Sequence, residues 1–345
     1  MQAIHSLHDF FRLTGADVHL YHMGRRVHPC SLDTLADFEA GDVPWPEPWQ
    51  GKARLAMVFR LGDMQDPLIW FLALPLDEQG LLDAAQRDAF LERLLSTLGR
   101  SAEQLESSAE DEIDNLMKDN PLAFTPSLAF QAVLHARASA ELERPASEHL
   151  EPVEAFFAGQ AGHDWQALGL QGLADYVVRL STDTERQLRH AIPQLHSEVL
   201  TSLCYCLEHV AIDEAVADSL RQRGEQAARD GDIETYCACI RAVGGGSRRV
   251  AADWFDQLLA DRHACGPDAL AAMAARGWQH LEDAERLPRF LERLAANEEA
   301  DFMALARDLA QIPRLRLPVL MTLRQAPEGS ATASRLAIVK GRQGH

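Results

Sequence analysis

The segment IRAVGGGSRRV (240–250) combines residue types that can bind an anion. Backbone N–H groups before a helix and arginine guanidinium groups both bind phosphate or carboxylate. However, the segment lacks the Gly-Lys-Ser/Thr ending of a P-loop, and it is not a G-x-G-x-x-G pattern after a strand. Arg248 and Arg249 fall in an expected first helical turn, where their charge opposes the helix dipole. We expect acidic neighbours rather than a bound anion to relieve this charge, and both arginines are candidate partner contacts.

A second group of polar and aromatic residues lies near the N-terminus. Histidines and arginines are close together over 22–28, and the loop PWPEPW (44–49) contains two tryptophans. Such residues could line a polar pocket with an aromatic lid. The alternatives are that the polar side chains are solvated and that the indoles pack on the domain's own sheet. The candidate ligand or partner contacts in this group are His22, Arg25, Arg26, Trp45 and Trp49.

Metal-binding patterns are weak throughout the sequence. Cys204 and Cys206 form one Cys-x-Cys pair, and Cys237 and Cys239 form another. Residues two apart point about 200° apart around a helix axis, so one ion cannot bind both thiolates of a helical pair. We therefore expect small buried side chains here rather than zinc ligands. His19 and His22 would point to opposite faces of a strand. The sequence predicts no metal, no cofactor and no catalytic residue.

A repeat with an offset of 33 residues relates CYCLEHVA (204–211), CACIRAVG (237–244) and LAAMAARG (270–277). The helical segment MALARDLA (303–310) lies one further offset along the chain. Periods near 33 are typical of helix-turn-helix units that stack into solenoids, although alanine-rich helices can also match by chance. On this interpretation Gly244 ends one helix and Ser247 caps the next.

The two parts of the chain have different hydrophobic patterns. Up to residue 100, short helices (5–14, 31–38 and 81–98) alternate with strands (17–23, 54–61 and 68–74), which predicts an α+β domain. An acidic connector follows at 101–120. Residues 121–345 show only helical patterns, which predicts an all-α, HEAT-like α-solenoid domain. The protein is therefore expected to be mostly helical.

Charge and hydrophobicity restrict the expected partners. The 345 residues carry a formal net charge of −19, which disfavours nucleic acids and anionic lipid surfaces. The most apolar run, LIWFLALPL (68–76), is shorter than the ~20 residues that span a membrane. The N-terminal residues lack the pattern of a signal peptide. We expect a cytoplasmic protein with reduced cysteines that contacts neither nucleic acid nor membrane.

The segments KDNPLAFTPSLAFQAVLHARASAEL (118–142) and WQALGLQGLADYVVRL (165–180) resemble an uncharacterised bacterial family, a domain of unknown function. The resemblance extends over most of the chain. It implies a bacterial protein whose two parts belong together. It implies no activity, cofactor or catalytic residue.

These observations favour a non-enzymatic adaptor or regulatory protein that binds a protein partner on a helical-repeat platform. The sequence does not identify the partner, and a homodimer is also compatible with it. The alternative is a small-ligand-binding or enzymatic N-terminal domain, with the helices as a support or dimerisation arm. Fold alone does not choose between them.

Overall fold

The computed structural model describes residues 4–62, 66–103, 117–118, 120–160 and 164–343. The chain divides into two compact units. The N-terminal unit comprises Met1–Ser127 with Gln311–Pro313, and the helical unit comprises Leu128–Ala310 with Arg314–His345. Most of the expected acidic connector, at 104–116 and 119, lies outside the described residues.

A four-stranded antiparallel sheet forms the centre of the N-terminal unit. Its strands are β1 (Asp17–His22), β2 (His28–Cys30), β3 (Lys52–Arg60) and β4 (Leu68–Pro75), in the order β2-β1-β3-β4. Strands were expected at 17–23, 54–61 and 68–74, and β1, β3 and β4 lie there. Strand β2 was not predicted, because three residues that include a proline are too short to show an alternating pattern.

The unit also contains the helices α1 (Leu7–Thr14), α2 (Leu32–Glu39) and α3 (Ala84–Glu103). Ser6 and Ser31 cap the first two helices by accepting bonds from the N–H groups of Asp9 and Thr34, at 2.9 and 3.0 Å. The core lies against one face of the sheet and is largely aromatic, with edge-to-face ring contacts. Its large side chains include Phe10, Phe11, Phe38, Trp45, Phe59, Trp70 and Phe90.

A short extended segment continues the sheet beyond β4. The Ala73 N–H donates to the Leu122 carbonyl at 2.7 Å, and the Phe124 N–H donates to the Phe71 carbonyl at 3.2 Å. Leu122 is completely buried in the core. The backbone groups on the outer side of β4 are therefore partly paired within the N-terminal unit.

The helical unit contains thirteen of the sixteen helices found among the described residues. In chain order they are α4 (Leu128–Glu141), α5 (Leu150–Phe157), α6 (Leu170–Val178), α7 (Thr182–Ala191), α8 (Ser197–Leu207), α9 (Glu214–Asp230), α10 (Ile233–Gly246), α11 (Arg248–Ala260), α12 (Pro267–Arg276), α13 (Arg286–Ala296), α14 (Phe302–Gln311), α15 (Pro313–Arg324) and α16 (Ala331–Gln343). The protein is thus mostly helical, with one small sheet near its N-terminus.

Alternate helices are neighbours in this unit. Helices α6, α8, α10 and α12 pack in sequence on one another, and so do α5, α7, α9, α11 and α13. Helix α10 also packs on α9 and α11, which joins the two rows. The matched segments of the 33-residue repeat lie in α8, α10 and at the end of α12, so they are side by side.

The prediction that a helix ends at Gly244 is wrong. Helix α10 continues through all three glycines to Gly246. The glycines permit close packing instead: a β-carbon on Gly245 would lie 2.4 Å from the Glu208 carbonyl oxygen, and one on Gly246 would lie 2.2 Å from Ile212. Ser247 does precede α11, but its side chain makes no capping hydrogen bond.

Candidate functional site

The β1–β2 hairpin brings two histidines together. Register pairs His22 with His28, so both side chains leave the same face of the sheet. Their rings stack with centroids 4.4 Å apart. His22 is buried, with an exposed fraction of 5%, whereas the His28 side chain is 34% exposed. The hairpin therefore holds one histidine inside the unit and the other at its surface.

The loop 44–49 covers this histidine pair. Trp45 is completely buried and packs against Phe38 and His22, with ring centroids 5.0 and 4.8 Å apart. Arg25, also completely buried, donates from Nε to the Pro48 carbonyl at 2.8 Å and lies 5.2 Å from the centre of the Trp49 ring. These contacts hold both ends of the loop.

Gly24 allows the loop to approach the hairpin. A β-carbon at Gly24 would lie 3.1 Å from the Trp49 β-carbon and 3.2 Å from the Glu47 carbonyl oxygen. Any larger side chain would have to push the loop outward. The close approach brings the Glu47 side chain over the histidine pair.

Glu47 is the functional-site residue that the sequence analysis missed. Its Oε2 lies 3.1 Å from Nε2 of His28, and its side chain is only 16% exposed. Burial raises the pKa of Glu47, but the adjacent His28 and the charge of Arg26 outweigh burial and hold it below its usual value. Burial, together with the charge of His28, lowers the pKa of His22 to about 4, so its ring is neutral at pH 7.

The sequence-predicted residues of the N-terminal unit therefore do come together. His22 contacts Trp45, Arg25 contacts Trp49, and Arg26 acts on Glu47 through its charge. Trp45 is part of the hydrophobic core, so it cannot present a free face to a ligand. Trp49 is half-buried against Arg25.

Arg248 and Arg249 lie in the helical unit and do not join this site. The Arg249 guanidinium donates to both carboxylate oxygens of Glu214, at 2.6–3.0 Å, and Asp253 lies 3.8 Å away. Acidic side chains thus neutralise Arg249, as expected from the excess of carboxylates. Arg248 is exposed in the first turn of the same helix.

The cysteines of both Cys-x-Cys pairs lie in helices, as expected. Cys204, Cys206 and Cys239 are completely buried, and Cys237 is half-buried. Among the described residues, the one group of potential metal ligands consists of His22, His28 and Glu47. Burial makes Cys204, Cys206 and Cys239 core residues.

A buried ionic cluster connects helices α8, α10 and α12. Glu208 accepts from Arg241 at 2.5 and 2.8 Å and from Arg276 at 2.6 Å, and its side chain is 1% exposed. Burial raises the pKa of Glu208, but the charges of the two arginines prevail and lower it to about 2. Glu208 and Arg241 occupy the same position in successive repeats. This cluster is consequently a structural contact between repeats.

A cleft of about 750 Å³ lies between α11, α13, α15 and α16. Its charged lining residues are Arg262, Arg289, Glu292 and Arg293. Glu292 is engaged at the start of α16, where it accepts bonds from the N–H groups of Ala331 and Thr332 at 2.7 and 3.1 Å. The arginines therefore determine the charge that the cleft presents.

These features define a protein of two units, a small antiparallel α+β unit and a larger unit of paired helices. The chain belongs to the family described as "Protein of unknown function (DUF3549)", whose family model matches residues 2–338. No curated protein and no solved structure matches the chain. No helix within the described ranges has both the length and the apolar character needed to cross a membrane.

Proposed function

We propose that this protein is a non-enzymatic adaptor of the bacterial cytoplasm whose helical unit is a HEAT-like solenoid that binds an acidic, partly apolar segment of a partner protein. The observation that carries the proposal is a cleft lined by three arginines in a chain of net charge −19. A basic cleft in an acidic protein selects an acidic ligand and repels competing acidic surfaces.

The charges around the cleft support this choice. Arg262 is exposed, and Arg289 forms surface ion pairs with Glu285 and Asp256, at 3.1 and 3.7 Å. Exposed ion pairs of this kind are weak. Carboxylates of an incoming segment can therefore replace these partners at little cost, while Arg293 remains anchored to the Leu259 carbonyl at 2.8 Å.

Helix α15 adds an apolar surface beside these charges. Leu317, Leu320 and Met321 are 67%, 49% and 41% exposed. Met321 lies one helical turn before Gln325, which lines the cleft, and Leu317 lies one turn before Met321. The exposed apolar stripe therefore leads to the cleft, and a segment bound there would contact both. Exposed apolar side chains next to polar groups are typical of protein-binding surfaces.

The row packing of the helices supports a rigid platform. Each matched repeat contacts the next through α8, α10 and α12, and the buried Glu208 cluster fixes their spacing. Stacked helical units present extended concave surfaces that bind partners. The charge of the whole chain disfavours a nucleic acid as the partner.

Site-specific crosslinking tests the proposal. A photoreactive amino acid at position 320 should crosslink the full-length protein to one partner in native cytosol, and Arg262→Glu should reduce that product at least about tenfold, since charge reversal repels an acidic segment. Position 128 is the matched control, because Leu128 is also exposed, at 74%, but lies in α4.

Charge reversal at Arg186, which is exposed and pairs with Asp183 in α7, controls for the loss of one positive charge. This variant should crosslink like wild type. Equal crosslinking from positions 128 and 320, or an equal effect of Arg186→Glu and Arg262→Glu, would show that the cleft is not the binding surface.

A further inference from the structure

We propose that His22, His28 and Glu47 form a binding site for a divalent transition-metal ion, with Zn²⁺ as the ion best matched to the donors. This inference concerns the N-terminal unit and is independent of the partner-binding surface proposed above. It rests on the geometry of three side chains that converge from two strands and one loop.

The distances suit a metal ion. A ring nitrogen of each histidine and a carboxylate oxygen of Glu47 all lie within 4.8 Å of one another. Donors about 2.0–2.1 Å from a tetrahedral Zn²⁺ lie roughly 3.4 Å apart, so closure needs movements of about 1 Å or less. The His28–Glu47 pair, at 3.1 Å, already lies near that separation.

One buried polar atom at the site, Nδ1 of His22, makes no hydrogen bond within the described part of the chain. A buried polar atom without a partner carries a substantial desolvation cost. Oε2 of Glu47 is also buried, and its 3.1 Å contact with Nε2 of His28 is an ion pair only when that ring is protonated. A metal ion bound between the side chains would remove the desolvation cost at His22.

The hydrogen bond of His28 also supports a metal site here. Its Nδ1 lies 3.1 Å from the Pro29 carbonyl, which can only accept, so Nδ1 carries a proton. Nε2 then faces Oε2 of Glu47 at 3.1 Å, where either a proton on Nε2 or a metal ion can bridge the two groups. A cation between them turns this contact into shared coordination. A carbonyl that orients the second ring nitrogen is a common feature around histidine ligands.

The surroundings fix the donors without supplying a competing ligand set. Trp45 packs on His22, and Arg25 holds the loop through the Pro48 carbonyl. Two histidines and one carboxylate form a known three-ligand zinc set, in which water completes the tetrahedron. The Sγ atom of the nearby Cys30 is not part of this convergent group of donor atoms.

Zn²⁺ titration of the full-length, untagged, chelator-treated protein tests the site. We expect one equivalent to bind, and His28→Gln and Glu47→Gln each to weaken the Kd at least about 100-fold, more than is usual for outer-shell changes. His19→Ala is the matched control: His19 lies on β1 but on the opposite face from His22, and should bind like wild type.

Cobalt substitution identifies the donors. Bound Co²⁺ should show d–d absorption without a thiolate-to-cobalt charge-transfer band, because no cysteine is a ligand. His28 is partly exposed, so His28→Gln should fold normally, and circular dichroism checks this. A thiolate band that persists in His28→Gln, or Zn²⁺ affinity equal to wild type in both His28→Gln and Glu47→Gln, would overturn the proposal. So would the absence of stoichiometric binding by the wild type.

Discussion

Gly244 and Gly277 are in van der Waals contact, although 33 residues separate them in sequence: a β-carbon on Gly244 would lie 3.1 Å from the Cα atom of Gly277. The 33-residue offset read from the sequence thus relates two positions that approach each other closely on neighbouring helices. Small side chains at the matched positions let α10 and α12 pack at short range.

This contact predicts that Gly277→Ala destabilises the helical unit. The added β-carbon would lie 2.4 Å from the ring of Phe255, which is completely buried and cannot yield. We expect a loss of roughly 2–3 kcal/mol in the free energy of unfolding, in the usual range for overpacking. Urea denaturation measures it. Gly266→Ala is the control, since nothing lies within 4 Å of its β-carbon, and a similar loss there would contradict the packing explanation.

The Glu208 cluster predicts a second large effect. Glu208→Gln should destabilise the protein by about 3–5 kcal/mol, because the buried Arg276 and the half-buried Arg241 would face a neutral amide. The matched control is Glu214→Gln, which removes an exposed ion pair with Arg249 and should leave stability unchanged. Thermal unfolding measures the stability of both variants. Equal losses of stability would show that the burial of Glu208 is not the cause.

Acid should destabilise the helical unit through two adjacent groups. Burial lowers the pKa of His209 from 6.5 to about 3, and the arginine charges around Glu208 lower its pKa from 4.5 to about 2. In both cases the unfolded chain binds protons first, so stability is lost as the pH falls from 6.5 toward 2. The charged groups around His209 are Glu208, Arg137, Arg241 and Arg276.

His209→Gln isolates the histidine contribution. The variant loses packing against Phe130 at all pH values, but its stability should change less than that of wild type between pH 6.5 and pH 4.5. Denaturation at several pH values measures the slope. An unchanged slope would show that His209 is already protonated in the folded protein or that another group titrates.

The cysteines should be unreactive in the folded protein. Burial raises the pKa of Cys30, Cys237 and Cys265 to about 12, and that of Cys206 further. At pH 8 we therefore expect labelling by a disulfide reagent to be at least about 1,000-fold slower than after unfolding, when all six cysteines react. Rapid labelling of the native protein would mean that a cysteine is accessible, and mass spectrometry would identify which one.

The sequence predicted much of the fold because local patterns determine it. Alternation on β3 and helical periodicity were sufficient for most elements. Gly244 was misassigned because a glycine near a helix end and a glycine in a close helix contact look alike in sequence. Only the neighbouring helix distinguishes them.

The candidate site was predicted less completely. Five residues were grouped correctly because they are close together in the sequence: His22, Arg25, Arg26, Trp45 and Trp49. Glu47 was missed as a partner of His28, because that contact depends on Gly24 and on how the loop folds over the hairpin. The available sequence signal was a single carboxylate between two tryptophans in a proline-rich loop.

The pairing of residues 122–124 with β4 has a practical consequence for dissecting the chain. A fragment that ended at residue 100 would leave the outer backbone groups of Phe71 and Ala73 unpaired and would remove buried Leu122 from the core. Exposed strand edges invite association with other chains. Such a fragment should therefore aggregate, and a recombinant N-terminal domain for solution studies should extend at least through Phe124.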